Sequence, residues 1–104
     1  MMHMEGMELI SFQMIAAVGT ARSMYIEAIQ AAKNGNFDEA DQLIEEGAKI
    51  FLEGHKAHAS LIQQEASGEK LEFSLLLMHA EDQLMNAETT KIMAVEIIDL
   101  YRSR

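Results

Sequence analysis

Apolar residues recur along this chain at gaps of three and four, the spacing of one face of an α-helix. In the first third the series is Met7, Ile10, Met14, Val18, Ala21, Tyr25, Ala28 and Ala32. A second series runs through Phe37, Ala40, Ile44, Gly47, Phe51, His55, His58 and Ile62. A third runs through Leu75, His79, Asp82, Asn86, Thr89, Met93, Ile97 and Leu100. Two breaks separate them. "KNGN" (33–36) sets Gly35 between two asparagines, a helix stop and restart, and Asn36 can N-cap the second segment with Glu39 at the capping-box position. "ASGEK" (66–70) is the second break, around Ser67 and Gly68. Proline is absent and good helix formers dominate. The pattern predicts an all-α fold, an antiparallel up-down-up bundle of three helices with short connections.

The third series raises two questions. It places a titratable ring and a carboxylate, His79 and Asp82, on what reads as a core stripe. The same segment also carries Leu77, Leu84, Ile92, Val95 and Ile98 off that stripe. One apolar face is enough for a helix in a small bundle, and a second one points to burial against another subunit ahead of the alternative, a broad apolar face in a short, crowded bundle. A homo-oligomer with the third helix near its centre is therefore expected.

Composition narrows the function classes. The 104 residues fit a single domain, 1–104, and are 49% hydrophobic and 24% charged, which suits a packed core. Seventeen acidic residues against eight basic ones give a net charge of −9. That balance argues against nucleic acid or an anionic membrane surface as partner, since both require clustered Lys and Arg. There is no cysteine, which excludes disulfides, thiolate zinc sites and thiol nucleophiles. No apolar run approaches the roughly 20 residues of a membrane span, and the N-terminus lacks the pattern of a signal peptide. A cytoplasmic protein without membrane insertion is expected. Residues 1–6, with crowded methionines and His3, are expected to be disordered or partly an expression scar.

Candidate chemistry is sparse. No phosphate-binding glycine loop, dinucleotide fingerprint or GxSxG elbow occurs. His79 and Asp82, three apart, are neighbours on a helix face. A carboxylate beside the ring can hold one nitrogen protonated and make the other a competent nucleophile. By spacing alone, such a pair reads more readily as a buried histidine satisfied by a nearby carboxylate. His55 and His58 are candidate metal ligands, but HxxH is weaker than the i, i+4 pair of HExxH, and no glutamate precedes a histidine by three on a core stripe. The acidic run "FDEADQLIEE" suits a solvated face near a helix N-terminus. The nine methionines are best read as core filling.

Taken in order, "AKNGNFDEAD" (32–41), "EGHKAHASLIQQEASGE" (53–69), "LMHAEDQLM" (77–85) and "IIDLYR" (97–102) resemble the lactose/cellobiose-class enzyme IIA of the bacterial phosphoenolpyruvate-dependent sugar phosphotransferase system, from about Met7 to Arg102. The resemblance implies a homotrimer of three-helix chains. It implies that His79 is the phosphorylated histidine, through Nε2, accepting a phosphoryl group from HPr and passing it to a IIB component. It places Asp82 where carboxylates meet at the trimer axis around a divalent metal, with magnesium the best match for hard oxygen ligands. Asp82 thus has two competing assignments, orienting His79 or binding metal, and the resemblance favours the second. Two departures stand out: Glu81 lies where many members have Gln, and His58 where Gln is frequent. Two other classes are a non-enzymatic helical adaptor and a metal-binding bundle using His55, His58 and Asp82. The sugar, lactose, cellobiose or a related β-disaccharide, is not legible in the chain.

Overall fold

The computed structural model describes residues 6–104 as three helices in sequence. These are α1 (Gly6–Lys33), α2 (Phe37–Ala66) and α3 (Leu75–Arg102), of 28, 30 and 28 residues. The expectation about residues 1–6 falls mostly on residues outside the described part, and Gly6 is already helical. The all-α three-helix expectation holds.

Both breaks are glycine-terminated helix ends. Gly35 takes φ +82°, and the amides of Gly35 and Asn36 donate back to the carbonyls of Ala32 and Ala31 at 3.0 and 2.8 Å. Gly68 takes φ +97°, and the amides of Gly68 and Glu69 donate to Glu65 and Gln64, both at 3.1 Å. Each is a Schellman closure, which satisfies carbonyls the helix end leaves open and favours a residue without Cβ at the left-handed position. Asn36 occupies the N-cap position of α2 but its side chain makes no capping bond, so the expected capping box is not formed.

α1 is the central element. It packs along both other helices, whereas α2 and α3 meet each other far less. Its buried residues Met14, Val18, Ala21, Tyr25, Ala28 and Ala32 alternate in steps of three and four, as predicted; Ser11 and Ala31 are buried as well, and the predicted Met7 and Ile10 are half-buried. The α1–α2 seam is close because its residues are small. Gly47 faces the ring of Tyr25, and Gly54 faces Val18. The core divides along the bundle: Met14, Val18, Leu61, Leu77, Ala80, Leu84 and Ala87 at one end, Ala21, Tyr25 and Ala94 in the middle, and Ala28, Ala31, Ala32, Ala40 and Ile98 at the other. At that far end Arg102 donates to the Asp41 carboxylate and lies 5.4 Å over the Phe37 ring, tying the end of α3 to the start of α2.

Two predicted stripes need correction. In α2 the inward series shifts near the C-terminal end to Gly54, His58 and Leu61, while His55 and Ile62 are exposed. In α3 the faces are exchanged. The buried residues are Leu77, Ala80, Leu84, Ala87, Ala94 and Ile98. The series read as core (Leu75, His79, Asp82, Asn86, Thr89, Met93 and Leu100) is not buried, and Ile97 is half-buried. The two stripes differ by two residues, about 200° around the helix. The second apolar face does exist, but it is the one carrying His79.

Candidate functional site

The site begins at the cap of α3. Ser74 is extended (φ −136°, ψ 155°), and its side chain accepts a hydrogen bond from the Leu77 amide at 3.1 Å. This satisfies one of the open donors of the first turn and sets where the helix starts. Leu77, Ala80 and Leu84 then turn inward onto Met14, Val18 and Leu61. Fixing those residues in the core directs His79 outward. Its ring, with Leu75 and Leu76, lines a shallow hollow on the surface.

Asp82 and Gln83 follow His79 at three and four residues and Asn86 at seven, so all four share one side of the helix. Asp82 and Asn86 are exposed and Gln83 is half-buried. Exposed apolar residues flank them and continue along the helix: Leu75 (83% exposed), Met78 and Met85 nearby, then Ile92, Met93 and Leu100. No hydrogen bond or ion pair joins His79 to Asp82 among the described residues. The assignment of Asp82 as the group that orients His79 therefore has no support in this geometry, and neither does a buried, mutually satisfied His–Asp pair.

The other candidate ligands do not converge. His55 is exposed and stacks against Phe51, with ring centroids 6.4 Å apart. His58 is half-buried, and its Nε2 lies 2.7 Å from the Glu81 carboxylate. Among the described residues no three His, Asp or Glu side chains of one chain form a metal-binding group. A bundle binding metal through His55, His58 and Asp82 of a single chain is not what this arrangement builds.

The His58–Glu81 contact joins the two positions that depart from the resembled family. Sequence reading names each but does not link them, because they stand on different helices. The only signal available is that both depart at once. Beside them, the end of α2, the connector and the start of α3 enclose a groove of about 220 Å³, lined by Leu61, Ile62, Leu71, Phe73, Leu77 and Met78 with Glu65, Glu72 and Glu81.

A small helical bundle presenting an exposed histidine among exposed apolar residues on one helix face suits a carrier that must meet other proteins at one nitrogen. The family description "PTS system, Lactose/Cellobiose specific IIA subunit" matches residues 9–102, and the chain belongs to that family. It is thus a component of a sugar phosphotransferase system. The chain is 50% identical over 97 residues to the lichenan-specific phosphotransferase enzyme IIA component of Bacillus subtilis, covering 93% of this chain and 88% of that one. The crystal structure of the cellobiose-specific enzyme IIA from Bacillus anthracis superposes with a TM-score of 0.94 at 48% identity, covering 97% and 93% of the two chains. The IIA(chitobiose) chain in the solution structure of its complex with HPr, from the N,N'-diacetylchitobiose branch of the Escherichia coli phosphotransferase system, superposes with a TM-score of 0.81 at 28% identity, covering 96% and 97%. No described helix is long and apolar enough to cross a membrane.

Proposed function

We propose that the protein is a IIA phosphocarrier that takes a phosphoryl group from HPr on His79 and passes it to a IIB component during uptake of lactose, cellobiose or a related β-disaccharide. The observation that carries this reading is the outward, exposed imidazole of His79 at the start of α3, bonded to no described carboxylate. The complex of a similar IIA with HPr supports the choice of donor.

Neutral Nε2 of His79 attacks phosphorus in line. The new N–P bond forms as the bond between phosphorus and the donor's phosphorylated nitrogen breaks, and the donor nitrogen leaves with that electron pair. In transfer to the IIB component, His79 is in turn the leaving group. Such transition states are loose, so positioning and charge stabilisation supply most of the acceleration. No Lys or Arg lies between Lys70 and Lys91, so the first half of α3 offers no cation to the transferring group. The amides of Gln83 and Asn86, on the same side of the helix as His79, are the chain's own polar groups for it, and the partner supplies the remainder.

The exposed apolar face of α3 supports a homotrimer in which three copies of this face meet. Asp82 lies on that face, and its carboxylate has the chemistry to hold a divalent cation there. One carboxylate per chain makes no site alone, whereas three together would offer hard oxygen ligands suited to magnesium. The ion, when bound, cancels the mutual repulsion of like charges held in a low-dielectric seam. A cytoplasmic location fits a carrier that exchanges phosphoryl groups with soluble partners.

The test is direct. Incubated with phosphoenolpyruvate, enzyme I and HPr, the protein takes up one acid-labile phosphoryl group per chain, and His79→Gln takes up none. Absence of uptake, or uptake that survives His79→Gln, removes the proposal.

A further inference from the structure

α2 and α3 touch little, yet polar contacts cross between them at both ends of the bundle. One is Arg102–Asp41, far from His79. The other is His58–Glu81, with Nε2 2.7 Å from Oε1 and side chains only 19% and 38% exposed. Glu81 follows His79 by two residues, so it leaves the helix about 200° away from it. Holding Glu81 against α2 therefore holds His79 on the opposite side, facing outward. Leu77, Ala80 and Leu84 pack the inner side of this segment, and the connector before α3 adds little to that. Its residues 67–74 are exposed except for half-buried Leu71. The contact also engages a carboxylate that would otherwise stand unpaired beside an acidic groove carrying Glu65 and Glu72.

We propose that His58 is a positioning residue for the phosphoacceptor: by engaging Glu81 it locks the rotation of the first turns of α3 and so the direction in which His79 is presented. This inference rests on the phosphocarrier reading of His79. Its physical basis is that in-line transfer is sensitive to small displacements of the accepting nitrogen. To the core packing of Leu77, Ala80 and Leu84 the half-buried contact adds a directional polar tie to α2.

Three variants test it: His58→Gln, Glu81→Gln, and the two together. Each single variant replaces one partner of the Nε2–Oε1 contact while the other is kept. The double variant replaces the pair by two neutral amides of matching hydrogen-bonding capacity. Each single change is expected to slow phosphorylation of His79 at saturating phosphorylated HPr by roughly three- to tenfold, with KM little changed, and the double variant recovers most of the loss. Amide hydrogen exchange of residues 78–82 rises in each single variant and returns towards the original value in the double. A purely structural role would lower thermal stability without changing the saturated rate per folded chain, and that result overturns the proposal. So does unchanged exchange at 78–82, or a double variant as slow as the worse single one. Should the unaltered protein take up no phosphoryl group at all, the phosphocarrier reading fails, while the exchange measurement still decides whether His58 holds this segment.

Discussion

The ring of Tyr25 lies directly on the backbone of Gly47: a Cβ there would stand 2.7 Å from Tyr25 Cε1 and 3.1 Å from Cδ1. No carbon pair tolerates the shorter distance, so Gly47 sets how closely α1 and α2 approach. Gly54, one heptad later, plays the same part against Val18 Cγ1, also at 2.7 Å.

Gly47→Ala is expected to destabilise the fold by about 1–3 kcal/mol. The fully buried Tyr25 ring has little room to yield, and the overpacking penalty exceeds alanine's advantage in helix propensity. Gly19→Ala is the matched control, because a Cβ at Gly19 meets nothing within 4 Å. That change should leave stability equal or slightly higher. Urea unfolding of the three proteins decides the matter, and equal losses at both positions would show that the close seam is not the cause.

Tyr25 has a second consequence. Its hydroxyl is buried without a hydrogen-bond partner among the described residues, and burial pushes its pKa above the ordinary tyrosine value of 10.0. The folded state therefore holds this proton at a pH where the unfolded chain releases it. Stability linked to Tyr25 is fully present below pH 10 and is lost as pH rises through the folded value. Tyr25→Phe removes an unsatisfied buried polar group. It is expected to be no less stable at pH 7 and to lose stability less steeply above about pH 10, as read from thermal melts across that range.

Met85 stands on the outward face of α3, 62% exposed in a single chain and on the side of His79 and Asp82. A charge there costs an isolated chain little but is costly where three such faces meet. For the proposed trimer, Met85→Glu should shift the protein to monomer in sedimentation equilibrium with little change in helix content. A variant that remains trimeric would place the subunit contact on another face.

Asp82 predicts a response to metal removal. If three Asp82 carboxylates share a cation, chelation should lower the thermal stability of the unaltered trimer by several degrees, and readded magnesium should restore it. Asp82→Asn, which removes the repelling charges and leaves only a weaker amide oxygen as ligand, should respond far less to both treatments. A chelator effect that persists undiminished in Asp82→Asn would assign the metal to other residues.

His79 itself is legible in the sequence through the resemblance of "LMHAEDQLM", but its environment is not. Spacing suggests a buried His–Asp pair, and the fold instead sets both residues on an outward face without a bond between them. Spacing gives neighbours along one helix; it does not say which side of that helix another element covers. The partnership of His58 with Glu81 is hidden for a related reason, since it spans two helices and depends on their registration.

The order of residues alone specifies the three helices, both glycine-closed turns and the buried face of α1, because each depends on local periodicity or on the backbone freedom of one glycine. It also specifies that α3 has two apolar faces. Which of those faces is core is settled by packing in three dimensions. Both repeat at steps of three and four, and the inward one is built in part from alanines, Ala80, Ala87 and Ala94. Small residues look weakly hydrophobic one at a time, yet they let α3 lie close against α1. The larger side chains Leu75, Met85, Met93 and Leu100 stand on the outer face with His79 and Asp82. Helix packing selects shape as well as hydrophobicity, and shape complementarity between α1 and α3 exists only once the two are side by side.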